Sequence, residues 1–237
     1  MTTILVGGAA SGIGESIVRA LLARADTRVI ATSRSAERLA TLRTRLVGVD
    51  AERVVPMVAD GADFADAQRL ANDVAAGGGA DAAVAIFGRG WWSGGPLLEL
   101  SASDWNALLH EMLSGHLAFA RAIVPMLAER PGSRYLALGG GAAFAPIPDA
   151  GVVSIAAAGQ AMLTRVLARE RTSDSPSIRE LIVNGPVNTR ESRTFAEPSW
   201  IGDDDVGRVA SELVLDGTTS WPATTENGPL LIMNPLV

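Results

Sequence analysis

The chain has 237 residues, 48% of them hydrophobic and only 5% aromatic, which is typical of a single α/β domain with an aliphatic core. Its net charge of -6 argues against nucleic acid as a partner, because binding the phosphate backbone needs a basic stripe. The absence of cysteine excludes disulfides, thiolate metal sites and a cysteine nucleophile.

Short apolar segments alternate along the chain with longer segments of helical periodicity. The predicted strands cover residues 3–6, 28–32, 54–58, 82–87, 135–138, 178–183 and 230–233. The predicted helices cover residues 13–25, 36–46, 64–76, 102–129, 152–171 and 203–215. This alternation predicts right-handed βαβ units. We therefore expect one α/β domain over residues 1–237, a Rossmann-like doubly wound parallel sheet of about seven strands with helices on both faces.

Three further patterns narrow the class of protein. No stretch of 18 or more apolar residues occurs, and no basic segment precedes a hydrophobic one, so we expect a cytoplasmic protein without a membrane span or signal peptide. Neither of the two histidines has the spacing of a zinc site, so we expect no metal. The chain has no Gly-x-Ser-x-Gly segment, and an α/β hydrolase is therefore not supported.

Residues 6–14 read VGGAASGIG and lie between the first predicted strand and the first predicted helix. Glycine lets the backbone turn sharply and lets a diphosphate approach without a Cβ in the way, while the start of the helix directs free N–H groups at it. Strand, turn and helix occur in the order that such a site requires. The alternative is a tight turn that holds no ligand. The residues predicted to bind a dinucleotide here are Gly8, Ser11, Gly12, Ile13 and Gly14.

The end of the second predicted strand indicates which dinucleotide is bound. NAD-binding sites usually carry an acid there, which binds the ribose hydroxyls. This chain has Ser33 followed by Arg34, and an arginine fork suits the 2′-phosphate of NADP. We therefore predict NADP(H) in preference to NAD(H), the alternative being that Arg34 is a solvated surface residue. Asp60, after the third strand, is a candidate for the adenine amino group or a simple turn residue.

Several segments together resemble the short-chain dehydrogenase/reductase family over essentially the whole chain. The glycine turn resembles its opening motif, and residues 96–105 resemble the approach to its long fourth helix. Residues 163–170 (LTRVLARE) resemble the second half of its active-site helix, and residues 185–189 (GPVNT) its turn beside the nicotinamide. The resemblance implies further cofactor contacts from Gly88, Gly185, Val187 and Thr189.

The same resemblance gives the positions at which the family carries its catalytic asparagine, serine, tyrosine and lysine. Counted from the matching segments, these positions hold Met112, Gly140, Val153 and Ala157. In the family the tyrosine transfers the hydroxyl proton, the lysine lowers its pKa and binds the ribose, and the serine holds the substrate oxygen. This chain has no lysine, and its single tyrosine is Tyr135. Loss of a general acid costs on the order of 10²–10⁴ in rate, so the family mechanism is not expected to operate in its usual form.

Two polar residues near these positions are weak candidates for proton transfer. Ser154 adjoins Val153, although one residue along a helix turns a side chain about 100° away. His116 lies one turn beyond Met112 on the same helix face and could act as an acid near neutral pH. The alternative for His116 is a core or interface histidine.

Candidates for substrate contact lie in two loops. Arg89, Trp91 and Trp92 follow the fourth strand, and the tryptophan pair fits a flat substrate or an oligomer contact equally well. Residues 189–202 correspond to the family's variable substrate lid, in which Arg190 and Arg193 are candidates for an acidic substrate or the cofactor phosphates.

Two classes of function remain open from the sequence. The first is an NADP-dependent oxidoreductase, isomerase or cyclase of this family that acts on a small molecule through nonstandard residues. The second is a catalytically silent protein that senses NADP(H) or stabilises a partner, with no substrate. By the resemblance we also expect a homodimer or homotetramer packed through the fourth and fifth long helices.

Overall fold

The computed structural model describes residues 1–88, 94–172, 176–222, 224–226 and 229–235. Eight strands in these ranges form one sheet in the order β3-β2-β1-β4-β5-β6-β10-β9. Neighbouring strands run parallel except β9, which pairs antiparallel with β10 at one edge. The strands are β1 Thr2–Gly7, β2 Thr27–Ser33, β3 Val54–Val58, β4 Ala82–Ala85, β5 Arg134–Gly140, β6 Ser177–Val183, β7 Val187–Asn188, β8 Ile201–Gly202, β9 Thr224–Glu226 and β10 Leu230–Met233.

The predicted fold class is confirmed, since seven parallel strands occur at the predicted places. The helices are α1 Gly12–Leu22, α2 Ala36–Arg45, α3 Phe64–Ala76, α4 Ala102–Leu109, α5 Gly115–Ala128, α6 Gly151–Glu170 and α7 Asp203–Leu215. The single helix predicted over residues 102–129 is interrupted by a π-helical turn, His110–Ser114. Such turns add one residue to an otherwise helical segment and are frequent at functional sites.

Helices cover both faces of the sheet because its side chains alternate between two apolar cores. Ile4 and Val6 of β1 belong to the core beneath α1, α2 and α7, and Leu5 belongs to the core beneath α3 and α5. All three are fully buried, and burying each such side chain stabilises the fold by roughly 1.5–3 kcal/mol. Helices α1 and α7 pack so closely that the Gly207 position has no room for a Cβ against the backbone of Ser16.

The strand order places a crevice at the carboxyl edge of the sheet. From β1 the chain moves outward through β2 and β3, and it then returns to the other side of β1 to form β4. The connections after β1 and β4 therefore diverge, and ligands of open α/β sheets bind at such a switch point.

Helix α6 is long and apolar enough, by length and composition, to cross a membrane. In this fold it packs on β5, β6 and the short helical turn Gly141–Ala143, so its apolar character serves packing inside the domain.

Candidate functional site

The turn between β1 and α1 is shaped by glycine and closed by a serine cap. Gly8 has φ +78°, a left-handed conformation that favours glycine. Ser11 caps α1: its Oγ donates to the Gly8 carbonyl over 2.9 Å and accepts from the Gly14 N–H over 3.0 Å. The turn is tied to β2 by the Ala9 N–H, which donates to the Thr32 carbonyl over 3.0 Å.

Close backbone approaches explain why glycine stands at the two ends of this turn. A Cβ on Gly8 would collide with the carbonyl oxygen of Ile86, which follows β4. A Cβ on Gly14 would collide with the Gly8 carbonyl oxygen and crowd Ser11. Ile13 lies between them and packs partly buried on the core beneath α1. The first turn of α1 is thus fixed at the crevice by close contacts with Gly8 and Ser11.

The edge of the crevice that follows β2 and β3 contains Ser33, Arg34 and Asp60. Arg34 is largely exposed and pairs with Glu111 across the crevice at 3.4 Å. The Ser33 Oγ accepts from the Ser35 N–H over 3.3 Å. The Asp60 Oδ1 accepts from the Ala62 N–H over 3.0 Å, which is the turn arrangement weighed for it above.

The opposite wall brings the segment after β6 against the glycine turn. Gly88 has φ +152° and lies against the Met112 side chain, whose Cε is 3.7 Å from the position of an added Cβ. Gly185 packs between Pro235 and Ile201. Val187 and Thr189 are buried, and Thr189 lies directly over Gly12. Thr189 thus meets Gly12 at the start of α1, whereas Gly88 and Gly185 contact other residues.

The four positions that the resemblance assigns to the family's catalytic residues lie in the π-helical turn, at the end of β5 and in α6. Met112 is buried in the π-helical turn. Gly140 ends β5 in an extended conformation, and a Cβ there would meet no atom within 4 Å. Val153 is half-buried and Ala157 is buried in α6, which packs on the π-helical turn. None of these four side chains can donate or accept a proton.

The two weak candidates for proton transfer differ in their surroundings. The Ser154 Oγ is half-buried and accepts from the Ile147 N–H over 3.1 Å, so its hydroxyl proton is still free to donate. His116 is 1% exposed, with Nε2 3.1 Å from the Phe87 carbonyl oxygen and its ring edge-on to the Phe87 ring. Burial lowers the pKa of His116 to about 4. The core position weighed for His116 above is the one that it occupies.

A buried polar cluster beneath the end of β5 was missed by sequence reasoning. Glu180 of β6 is fully buried, and its Oε1 accepts from Gln160 Nε2 over 3.0 Å. Burial raises the pKa of Glu180 to about 7, although hydrogen bonds from Thr164 and Gln160 oppose the rise. The hydroxyl of Tyr135, the only tyrosine, is buried nearby with its pKa raised by burial and by Glu180. An acid inside the apolar segment IRELIV was the available signal.

An acidic side chain also lies on the glycine turn itself. The Glu191 carboxylate fills the space that a Cβ on Gly12 would need. Burial works to raise the Glu191 pKa, but hydrogen bonds from its own N–H, Arg190 and Thr189 hold that pKa below its usual range. Arg190 bridges Glu191 to Glu15 of α1, which it meets at 2.6 Å. Arg190 is predicted above to contact an acidic substrate or the cofactor phosphates, and in the structure it lies beside the first turn of α1.

The remaining side chains predicted to contact a substrate or the cofactor are Arg89, Trp91, Trp92 and Arg193. Arg89, Trp91 and Trp92 lie outside the described residues. Arg193 lines a cleft of about 480 Å³ beside Arg190 and Glu15. No cluster of His, Cys, Asp or Glu suited to a metal ion occurs in the part of the chain that the structure describes.

The helix faces expected to make oligomer contacts are partly core. Leu108, Ala118 and Ala161 are buried within the domain. The large apolar side chains that α5 and α6 expose are Leu117, Ile155, Met162 and Val166.

Comparisons with known proteins agree with this architecture. A metagenomic short-chain oxidoreductase solved in complex with NADP is 23% identical, with a TM-score of 0.77 over 100% of this chain and 97% of that chain. ElxO with NADP bound is 18% identical, with a TM-score of 0.84 over 98% and 97%. The alcohol dehydrogenase of the archaeon Thermococcus sibiricus, complexed with 5-hydroxy-NADP, is 22% identical, with a TM-score of 0.78 over 99% and 95%. A sequence profile described as short chain dehydrogenase matches residues 2–198, and the chain therefore belongs to the short-chain dehydrogenase family.

Proposed function

We propose that this protein binds NADP(H) in the crevice at the carboxyl edge of its sheet and lacks the family's usual proton-transfer groups. The observation that carries the proposal is the turn from Gly8 to Gly14, where a left-handed glycine, a serine cap and two excluded Cβ positions set the start of α1 at the crevice. Helix starts of this kind bind the diphosphate of dinucleotides. The fit to the cofactor rests on this backbone cradle.

The preference for NADP(H) over NAD(H) rests on the end of β2. Ser33 and Arg34 stand where an acid would bind the ribose hydroxyls. The pair between Arg34 and Glu111 is long and exposed, and such pairs contribute little, so Arg34 is free to turn toward a 2′-phosphate. Two structurally similar proteins were solved with NADP, which supports the same choice here.

The chemistry of the bound cofactor is proposed to be nonstandard. NADPH supplies a hydride when bound, while reduction of a ketone also needs a proton donor beside the carbonyl oxygen. Gly140, Val153 and Ala157 offer none, while Ser154 carries a half-buried hydroxyl in this region. Substrates that need little help from an acid, such as activated double bonds or iminium ions, fit this pocket better than simple ketones.

A silent binding protein is the second candidate. It is favoured by the burial of His116 and by the loss of proton-transfer groups at all four family positions. NADPH oxidation with a panel of ketones, imines and enones separates the two candidates. Turnover of any class supports the enzyme, and binding of NADPH without turnover of any class supports the silent protein.

Calorimetric titration with NADPH and NADH tests the cofactor proposal directly. We expect NADPH to bind more tightly than NADH and Arg34→Ala to weaken NADPH ~10-fold with little effect on NADH, because only NADPH carries the 2′-phosphate. Arg169→Ala, which removes an exposed arginine at the far end of α6, is the matched control. Failure of both dinucleotides to bind below millimolar concentration would refute the proposal.

We also propose that a second copy of the chain covers the exposed apolar side chains of α5 and α6. Leu117, Ile155, Met162 and Val166 are each at least 40% exposed, and Ile155, Met162 and Val166 follow helical spacing on α6.

A further inference from the structure

Glu191 occupies the place at which a dinucleotide diphosphate would approach α1. Its Oε2 lies against Gly12, the glycine at which α1 begins, and leaves no room there for even a methyl group. Thr189 packs at the same point and is one of the hydrogen-bond donors to this carboxyl group. The helix start therefore already faces an anion, and this anion belongs to the chain.

Arg190 lies where it can pair with whichever anion occupies the start of α1. One of its terminal nitrogens meets the Glu15 carboxylate at 2.6 Å, and the other donates to Glu191. Glu15 is also paired with Arg19 at 3.0 Å and lies 3.6 Å from Arg45, so its negative charge is shared by three arginines. Glu15 thus anchors Arg190 on α1 without cancelling its charge, and the nitrogen that faces Glu191 keeps a full attraction for an anion.

We propose that the Glu191 carboxylate competes with the cofactor diphosphate for the start of α1. When the diphosphate displaces Glu191, Arg190 pairs with the diphosphate instead. The inference rests on the proposed binding of NADP(H) and adds two residues that set its affinity. A carboxylate and a diphosphate cannot share one helix start and one guanidinium without strong repulsion. The Glu191 side chain is 48% exposed, so it can leave the crevice for solvent without unfolding its neighbours.

Calorimetric titration with two probes isolates the diphosphate. NADP⁺ carries a diphosphate, whereas adenosine 2′-monophosphate keeps the adenosine and the 2′-phosphate and has none. We expect Glu191→Gln to tighten NADP⁺ binding ~10-fold and to leave adenosine 2′-monophosphate unchanged, because only the diphosphate meets the removed charge. Arg190→Gln is expected to weaken NADP⁺ ~10-fold, again with no effect on adenosine 2′-monophosphate.

The matched control is Glu197→Gln, which removes the same charge from an exposed residue of the same segment and should change neither probe. Tighter binding by Glu191→Gln cannot arise from misfolding, so the proposal does not depend on the stability of Arg190→Gln. If wild-type protein binds NADP⁺ and Glu191→Gln binds it no more tightly, the competitor is refuted while NADP(H) binding stands. If no variant binds NADP⁺, the proposed function fails, and this inference fails with it.

Discussion

At the proposed diphosphate end of the crevice the site is made of backbone, whereas at the proposed nicotinamide end it depends on individual side chains. Gly8, Ser11 and Gly14 shape the start of α1 through φ angles, a cap and excluded Cβ positions. At the other end, the resemblance places Gly140 and Val153 where the family carries a serine and a tyrosine, residues that act through a hydroxyl. The glycine turn can keep its shape when the catalytic side chains change, because few residues belong to both.

This contrast suggests that catalytic side chains can be introduced at the end of β5 and in α6 without changing the glycine turn between β1 and α1. We expect the triple variant Gly140→Ser, Val153→Tyr, Ala157→Lys to reduce simple ketones with NADPH on the order of 10²–10⁴ times faster than the parent chain. Gly140 is extended and surrounded by open space, so a serine fits there without strain. Initial rates of NADPH oxidation measure the effect.

The control for this rebuilding replaces tyrosine by phenylalanine at the same place. The variant Gly140→Ser, Val153→Phe, Ala157→Lys has nearly the same volume and lacks only the phenol hydroxyl, so it should stay at the rate of the parent. Robust ketone reduction by the parent chain itself would show that its pocket was never disabled. Equal rates for the two triple variants would show that the phenol is not the missing group.

Sequence order was sufficient for the fold and for placing the glycine turn between β1 and α1. Helices α3 and α7 begin and end where predicted, since each starts with acids that suit a helix N-terminus. The π-helical turn His110–Ser114 was missed because one added residue barely disturbs an apolar period within a long helix. Strands β7, β8 and β9 are two or three residues long, too short to show alternation.

The side-chain part of the site depends on contacts that sequence order does not reveal. Glu191 was visible only as part of a variable segment, and its place on Gly12 follows from how β6 and the connection after it return to α1. Glu180 was visible as an acid in an apolar strand, but its partner Gln160 lies 20 residues earlier on α6. The helix face alone did not show whether His116 is an acid or a core residue. The Phe87 carbonyl oxygen that it contacts lies in the loop after β4.

The rigidity of the cradle can be separated from the conformational preference of glycine. Gly8 and Gly48 have nearly the same φ, +78° and +83°, but only Gly8 has a backbone carbonyl at the Cβ position, while Gly48 faces open space. An alanine in this conformation costs roughly 1–2 kcal/mol at either site. We expect Gly8→Ala to lower the free energy of unfolding by about 3 kcal/mol and Gly48→Ala by about 1 kcal/mol, as measured by urea denaturation. Equal losses of unfolding free energy would mean that the loop after β4 moves easily to admit the added methyl group and that the glycine turn is not rigid.

Beneath the end of β5, Glu180 makes stability depend on pH in a direction opposite to that of an ordinary paired carboxylate. Its folded-state pKa of about 7 lies above the usual value of 4.5 for a glutamate in water, because burial disfavours the charged form. The folded protein therefore holds a proton that the unfolded chain releases between these two values. Stability from this group is fully present below pH 4.5, falls as pH rises through about 7, and stays low above it.

Glu180→Gln keeps an oxygen that can accept from Gln160 and removes the charge. We expect it to raise the free energy of unfolding at pH 8 by about 2 kcal/mol and to leave it nearly unchanged at pH 4, as measured by urea denaturation at the two values. Glu129→Gln, at the exposed end of α5, is the control and should show no difference between them. An equal gain at both pH values would mean that Glu180 is ionised throughout and that its neighbours, rather than a bound proton, neutralise it. In that case the buried cluster of Glu180, Gln160 and Tyr135 would be a permanent part of the core. The region at the end of β5 would then be as rigid as the glycine turn between β1 and α1.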